Sequence, residues 1–413
     1  MYFVPLLLQL SEILKIFNAE GPAAPESIMM DYMIIIFSSA ICLIVIIKNF
    51  KVVNKHSFGI LILLLYLSLQ ILYSSDLWNS FKRLLGFNLP FLLFIGAFII
   101  TKDHKNIQLL IKTNIWLVTL FIINVFIATY YKLDIEYEDY GIKFVNLGSV
   151  NFFIVYNFVF AIILLPTAYL IEKVTIRKYF ILIIYFIGFI ILILLLKRTY
   201  VYLVIVGLAS VLLFQATKRN LRYVITIMIF GIIAFFFSDD YITHAFLTRE
   251  NVIKRNINEE GRYLELALYP EIISKSKDPI NALLFGREFL NSEGKFIYYE
   301  KIFGEKNRLF HTDIGVVLYG AGILGLFLFL RVLYLIARKF IYLKNRLNKE
   351  LIININKNVP SAFLIMYICI IFSLFSDGIT VANNRVLPYL VLGSILGIMN
   401  NTIKMREFKS LKV

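Results

Sequence analysis

The sequence predicts an all-α, polytopic integral membrane protein with 11 or 12 transmembrane helices and one large extracytoplasmic loop. Three observations support this fold class. Of the 413 residues, 60% are hydrophobic and only 17% are charged, which differs strongly from soluble globular proteins. Apolar runs of 16 residues or more recur along the chain. Short basic loops separate these runs, as expected for membrane spans joined outside the bilayer.

Eleven apolar segments are long enough to cross about 30 Å of hydrocarbon with some tilt. They should be helical, because lipid offers no partner for a free backbone N–H or C=O. A further apolar segment, residues 1–17, is short and carries Glu12 and Lys15. It is expected either to form a twelfth span or to lie in the membrane interface. The eleven predicted spans are 29–47, 58–74, 86–101, 107–131, 149–171, 179–196, 200–216, 221–237, 313–337, 360–376 and 386–400.

The loops alternate in charge, and this alternation predicts their sides of the membrane. One set of loops, together with the C-terminal tail, carries 21 lysines and arginines, whereas the short loops of the other set carry 7. Cytoplasmic loops are enriched in these residues, so the first set is predicted to be cytoplasmic. The acidic loop containing Asp134, Glu136, Glu138 and Asp139 is then extracytoplasmic. If residues 1–17 form a twelfth span, the N-terminus is cytoplasmic.

The chain divides into three parts. Residues 1–237 hold eight or nine helices, 238–312 form the extracytoplasmic loop with short helices, and 313–413 hold three helices and a cytoplasmic tail. The loop is the only long polar region, so chemistry is expected there. Within it, Arg262–Ile273 has the pattern of an interfacial helix that ends near Asp278-Pro279.

The composition and motifs of the sequence also limit which functions are possible. The net charge of +15 is expected of cytoplasmic loops in a membrane protein, so no nucleic-acid partner is predicted. Cys42 and Cys369 both fall inside apolar segments, and no disulfide is predicted. The sequence has no zinc-type Cys/His spacing, no P-loop and no dinucleotide fingerprint. We therefore predict no cofactor and no bound metal.

Arg198 is a candidate site residue because of its position. With Lys197 it lies between two nearly continuous apolar spans, on the side that should be poor in positive charge. A guanidinium offers bidentate geometry for phosphate oxygens. The alternative is a snorkelling side chain that closes a tight hairpin.

Three arginines of the loop are further candidates for binding an anionic group. Arg262 follows a glycine and opens the amphipathic segment, where it would hold a pyrophosphate or remain solvated. Arg287 and Arg308 are placed similarly along the loop. Asp313 and Arg385, at the predicted outer ends of two spans, could reach the same cavity and contribute to substrate binding.

His311 is the candidate general base. It lies two residues before the next span, and histidine can accept a hydroxyl proton near neutral pH. A lone histidine is more often structural, and Thr312 or Asp313 could simply cap the following helix. We expect Arg198, Arg262 and His311 to line one outward cavity, within about 20 Å of one another.

The order of these motifs resembles the O-antigen polymerase and O-antigen ligase superfamily. Lys197-Arg198-Thr199 opens a span, and Gly261-Arg262 and Phe285-Gly286 follow in a large outer loop. His311 then leads into Gly320-x-Gly322-Ile323-Leu324-Gly325. The similarity covers residues 197–330. The chain departs from the family pattern at His311-Thr312, where the family often has His-Asn, and at Phe285-Gly286-Arg287, where it often has Gly-x-Gly.

The resemblance implies a GT-C-like membrane glycosyltransferase of the bacterial inner (plasma) membrane. It implies an undecaprenyl-diphosphate-linked oligosaccharide as donor, with Arg198 and Arg262 binding the pyrophosphate and His311 activating or positioning the acceptor hydroxyl. A diphosphate is a good leaving group and arginines can stabilise its charge, so metal-independent transfer is expected. The expected reaction is polymerisation of repeat units into O-antigen or another surface or capsular polysaccharide.

Three alternatives remain open at this stage. A ligase would use the same donor but transfer the glycan to lipid A–core in lipopolysaccharide synthesis. A lipid-linked sugar transporter (flippase) would show paired broken helices or an internal repeat, and the sequence shows no repeat. A non-catalytic assembly scaffold is the third. The expected partners are membrane lipid and, for a polymerase, a chain-length regulator and a flippase.

Overall fold

The computed structural model shows a predominantly helical protein. It describes residues 1–16, 25–74, 77–130, 135–139, 142–146, 152–194, 198–215, 261–286, 312–347, 358–375 and 385–410. The helices in these stretches are α1 (Val4–Ile16), α2 (Pro25–Lys48), α3 (Phe50–Leu69), α4 (Leu77–Ile100), α5 (His104–Tyr130), α6 (Phe152–Ile171), α7 (Thr175–Leu194), α8 (Arg198–Gln215), α9 (Gly261–Ser274), α10 (Pro279–Phe285), α11 (Asp313–Arg346), α12 (Asn358–Ser373) and α13 (Val386–Ser410). A 3₁₀ turn, Gln70–Tyr73, follows α3.

The prediction of a helical polytopic membrane protein is confirmed. Within the described residues, six helices are long and apolar enough to cross a membrane: α2, α4, α5, α7, α11 and α13. Four shorter apolar helices, α3, α6, α8 and α12, coincide with further predicted spans. The remaining predicted span, 221–237, lies outside the described residues.

One predicted loop contains regular structure. Residues Ile135–Asp139 and Ile142–Asn146 form an antiparallel hairpin, β1 and β2, with Tyr137 opposite Phe144. The acidic composition of this segment predicts only a loop between two spans. The alternation of aromatic or aliphatic residues with charged ones in Ile-Glu-Tyr-Glu and Ile-Lys-Phe is a strand signal within that loop.

The contact between α4 and α13 forms the centre of the bundle. Two glycines one turn apart on α13, Gly393 and Gly397, lie directly against the carbonyl oxygens of Phe94 and Phe98 on α4. Small residues at this spacing allow two helix backbones to approach closely in lipid. Because position 393 meets position 94 and 397 meets 98, the two helices run in the same direction.

Two ion pairs define the ends of the bundle. Asp313 and Arg385, at the starts of α11 and α13, pair with each other, and Arg346 Nη2 lies 2.9 Å from Glu407 Oε1 near their far ends. We call these the Asp313 end and the Glu407 end. The charge pattern of the sequence predicts that the Asp313 end is extracytoplasmic.

The first helix packs one face against the bundle. Tyr2 shares a hydrogen bond with Thr101, which follows α4 at the Glu407 end. Further along α1, the hydroxyl of Ser11 donates a hydrogen bond to the carboxylate of Asp31, which lies near the start of α2. Leu8 and Ser11 are fully buried. Helix α1 therefore runs antiparallel to α2 and starts at the predicted cytoplasmic end, and whether it forms a twelfth span stays a prediction.

The close approach of α4 and α13 leads to the first prediction. We expect Gly393→Ala to lower stability by about 1–3 kcal/mol, because a Cβ there would collide with the backbone oxygen of Phe94. The measurement is the thermal unfolding midpoint in detergent. The matched control is Gly188→Ala, where the added Cβ meets only the side-chain ends of Ile162 and Phe158. Equal midpoints for the two variants would contradict this account of the core.

Candidate functional site

A buried ion pair marks the Asp313 end of the bundle. The side chain of Asp313 is 0% exposed and that of Arg385 is 3% exposed, and the two are in direct contact. Arg385 Nη2 also donates to the backbone oxygen of Ser373, at 3.0 Å. The pair therefore joins the starts of α11 and α13 to the last turn of α12.

Backbone hydrogen bonds extend this junction. The N–H of Asp313 donates to the carbonyl oxygen of Leu374 at 3.1 Å. Thr312 caps α11 by accepting from the N–H of Gly315 at 3.1 Å, which is the capping role that the sequence left open. Across the junction, the N–H of Leu387 donates to Asn157 Oδ1 on α6, at 3.2 Å. Four helices thus meet through polar contacts.

The energetics of the pair make it a fixed element. Taking either charge out of water costs several kcal/mol, and their mutual attraction compensates only when both are present in good geometry. Asp313 also lies in the first turn of α11, where a negative charge interacts favourably with the helix dipole. The junction therefore holds residue 312 and the start of α11 in a defined position.

Helix α8 brings Arg198 to the same end of the bundle. Ser361, near the start of α12, donates to the carbonyl oxygen of Phe214, near the end of α8. The two helices pack against each other, so this contact makes them antiparallel. Arg198, the first residue of α8, therefore lies at the end where α12 reaches Ser373 and the ion pair.

The outer-loop helices dock on a break in α11. Gly322 has φ 67° and ψ −173° inside α11, and Gly286, just after α10, has φ 84°. A Cβ on Gly286 would collide with the backbone at Gly320 and Ala321, and one on Gly322 would collide with the backbone at Leu284. Both positions thus require glycine for two reasons, the left-handed backbone and the close approach of another chain segment.

Side chains satisfy the carbonyl groups around this break. Tyr66 on α3 donates to the oxygen of Ala321 at 2.6 Å. Gln70 Nε2 donates to the oxygen of Phe285 at 3.0 Å. Broken backbone at membrane depth needs such partners, because lipid supplies none. The break is therefore filled by polypeptide.

Helix α9 is anchored beside the break. The hydroxyl of Tyr269 donates to the carbonyl oxygen of Leu318, one turn before Ala321, at 3.4 Å. Burial raises the pKa of Tyr269 above its usual value, so its phenol stays protonated and remains a donor at neutral pH. Arg262 is the second residue of α9, about two turns from this anchor.

The structure describes only some of the predicted site residues. His311, Arg287 and Arg308 lie outside the described residues. The backbones of Arg198 and Arg262 are described, and each lies near the start of its helix. Their side chains are outside the description, so the expected cavity shared with His311 stays a prediction.

Asp313 and Arg385 are described fully, and their charges are directed at each other. Direct substrate binding by either residue stays a prediction. Within the described stretches, no group of three or more His, Cys, Asp or Glu side chains could hold a metal ion.

Sequence reasoning missed several residues of this region. The motif of the resemblance includes Gly320, Gly322 and Gly325, but nothing in the sequence pairs Gly322 with Gly286. Sequence reasoning also passed over Tyr66, Gln70 and Asn157, which lie inside predicted spans. Polar residues within apolar spans usually face protein, so their presence was the available signal.

No family model matches this chain, and a search of curated proteins finds no significant match. The resemblance to the O-antigen polymerase and ligase superfamily therefore rests on the order and spacing of the motifs between residues 197 and 330.

The buried pair leads to a second prediction. Arg385→Met alone should destabilise the protein by about 3–5 kcal/mol, because it leaves the carboxylate of Asp313 buried without its counter-charge. The double variant Asp313→Asn/Arg385→Met should be the more stable of the two, because no charge remains buried. Thermal unfolding of both variants in detergent measures the difference. A double variant that is less stable than Arg385→Met would rule out this charge-pair explanation.

The glycine contact leads to a third prediction. Gly322→Ala should detach α9 and α10 from α11, because the new Cβ collides with the backbone at Leu284 and the residue retains a left-handed φ. Limited proteolysis should then cut within 261–286 at least several-fold faster than in wild type. Gly188→Ala, in a regular helix, is the matched control. Unchanged cleavage in Gly322→Ala would show that the docking does not depend on this glycine.

Proposed function

We propose that this chain is an integral membrane glycosyltransferase that polymerises undecaprenyl-diphosphate-linked oligosaccharide repeat units into O-antigen or another surface polysaccharide. One observation carries the proposal. The starts of α8, α11 and α13, which bear Arg198, Asp313 and Arg385, share one end of the bundle, and the outer-loop helices dock onto α11 close to that end. These are the elements that contain the motifs of the resemblance.

The arginines supply the donor site in this proposal. Arg198 and Arg262 bind the diphosphate of the lipid carrier, since a guanidinium can hold two phosphate oxygens at once. Arg287 and Arg308 add positive charge along the loop. An arginine at the start of a helix is also well placed to bind an anion, because the free N–H groups of the helix's first turn can donate to the same anion.

His311 acts on the acceptor. Its imidazole accepts the proton of an acceptor sugar hydroxyl as the oxygen attacks the anomeric carbon of the donor. The bond between that carbon and the diphosphate oxygen breaks, and the diphosphate leaves with the bonding electron pair. Arginines stabilise the charge that develops on it, so the step requires no metal.

The ion pair of Asp313 and Arg385 has a positioning role in this scheme. His311 is joined to α11 through Thr312, which is 4% exposed and caps the helix. The pair fixes the start of that helix relative to α12 and α13. A catalytic histidine has to be held within a fraction of an ångström of its productive position, and a rigid helix start next to it serves this purpose.

Acceptor choice distinguishes the polymerase from the ligase. Both would use the same donor site, and the acceptor is a second lipid-linked repeat unit for a polymerase and lipid A–core for a ligase. We place acceptor recognition in the outer loop of residues 238–312. A chain-length regulator and a flippase are the expected partners of the polymerase.

The break in α11 bears on the transporter alternative. Discontinuous helices in transporters leave their half-helix ends open to bind an ion or substrate. Here the backbone at Leu284 and Gly286 occupies the break at Gly322. A break filled by the chain's own backbone favours a fixed docking point for the loop over a transport site.

The fourth prediction tests the reaction. Purified protein in liposomes, given undecaprenyl-diphosphate-linked repeat units as the sole substrate, should produce a ladder of longer lipid-linked glycans. His311→Ala and Arg198→Ala should each reduce the initial rate by at least about 100-fold, since each removes a group that acts in the transition state. Arg177→Ala is the matched control, because Arg177 is an exposed arginine near the start of α7, on the opposite predicted side from the proposed site. Each variant is first checked for an unchanged unfolding midpoint.

Other outcomes of this experiment identify the alternatives. Transfer that begins only when lipid A–core is supplied would show that the protein is a ligase and not a polymerase. Movement of the lipid-linked sugar across the bilayer without any new glycosidic bond would establish the transporter. Full activity in the His311 and arginine variants would refute the assigned roles.

A further inference from the structure

One face of α11 presents a pattern that the proposed function does not use. Four apolar side chains on this face, Ile323, Leu324, Phe327 and Leu330, are 42–62% exposed. Arg331, Tyr334 and Arg338 continue the same face toward the Glu407 end, and all three are exposed. Apart from the adjacent pairs at 323/324 and 330/331, successive members are three or four positions apart, so the seven residues form one continuous row along the helix. We call this row the α11 stripe.

The contacts at the Glu407 end give the depth of the stripe. Asn401 on α13 donates to the carbonyl oxygen of Lys102, in the predicted cytoplasmic loop after α4, at 2.7 Å. Glu407 lies six residues beyond Asn401, about 9 Å further along the helix. Since Arg346 pairs with Glu407, the corresponding membrane boundary on α11 falls near residue 340. Arg331 then lies about 13 Å inside the hydrocarbon side of that boundary.

The arginines of the stripe have no counter-charge in the part of the chain that the structure describes. Arg331 and Arg338 form no ion pair or hydrogen bond with described residues. The only acidic residue of α11 is Asp313, at the opposite end of the helix. An exposed guanidinium at this depth is costly unless an anion or water reaches it, and a snorkelling side chain covers only part of the distance.

We propose that the α11 stripe binds an anionic phospholipid of the predicted cytoplasmic leaflet. Its phosphate lies between Arg331 and Arg338, which are about 10 Å apart along the helix. The phenol of Tyr334, between them, donates a hydrogen bond to the headgroup. One acyl chain lies along Phe327 and Leu330, toward the Asp313 end.

The order of residues along the stripe matches the shape of such a lipid. Along the stripe the charged residues are closer to the predicted cytoplasmic boundary than the apolar ones are, which is also the order of headgroup and chains in an inner-leaflet lipid. An aromatic hydroxyl between them is typical of the interfacial zone. The competing occupant is a transmembrane helix that carries an acidic residue. Arg338 lies about 3 Å inside the boundary, and the side chain of Arg331 can extend toward it. One phosphate drawn slightly into the bilayer can therefore contact both guanidinium groups, and this favours the lipid.

The fifth prediction tests lipid binding directly. The wild-type chain is placed in nanodiscs of phosphatidylcholine with increasing phosphatidylglycerol, and bound phosphatidylglycerol is counted by native mass spectrometry. Arg331→Gln/Arg338→Gln should weaken the apparent affinity about thirtyfold, since each basic residue near an anionic headgroup contributes about fivefold. The rise in unfolding midpoint caused by phosphatidylglycerol should disappear in this variant. Arg331→Lys/Arg338→Lys should retain part of both effects.

Arg177→Gln is the matched control, because Arg177 is an exposed arginine on the same predicted side but on α7. It should bind phosphatidylglycerol as the wild type does. Equal binding by the stripe variant and the control would overturn the proposal. So would a wild-type dimer or complex that dissociates in the stripe variant while lipid binding stays unchanged, because the stripe would then contact a helix.

Discussion

The absence of hydrogen-bonding solvent inside the bilayer determines how this chain can depart from regular helix. At Gly322 the helix α11 is broken, and in lipid each unsatisfied carbonyl or amide would cost several kcal/mol. The protein meets this constraint with its own groups: the backbone of α10 fills the gap, and Tyr66 and Gln70 donate to the carbonyl oxygens. The outer loop is consequently attached to the membrane helices through a backbone contact whose geometry requires glycine.

The same constraint applies to charge, and the chain meets it differently at its two ends. At the Asp313 end, the carboxylate of Asp313 and the guanidinium of Arg385 are buried together and neutralise each other. This arrangement is rigid, because neither charge can leave without exposing the other to a low-dielectric interior. At the Glu407 end, Arg331 and Arg338 are exposed and form no ion pair with the residues that the structure describes, and the counter-charge that we propose for them is a lipid phosphate. The buried ion pair thus makes the Asp313 end suitable for a fixed site, whereas the exposed arginines make the Glu407 end suitable for binding an exchangeable lipid.

The sequence predicted the helices well and their junctions poorly. Hydropathy located the apolar segments because burial in lipid acts on every residue of a span. It misplaced ends such as the start of α4, which begins at Leu77 and not at residue 86, because a helix can continue past its apolar part. The Gly286–Gly322 contact was out of reach, because it joins segments 36 residues apart through backbone geometry, which leaves no periodicity in the sequence.

For the candidate site, the sequence identified residues and the structure supplies the frame around them. Helices α8, α11 and α13 are distant in sequence, yet Arg198, Asp313 and Arg385 begin them at one end of the bundle. The start of α11 is held by the Thr312 cap and the buried pair, and α11 is held again nine residues later by the docked loop helices. In the proposed reaction the general base is His311, which directly precedes this cap in the sequence. The rigid helix start is therefore the element on which the position of the proposed base would depend.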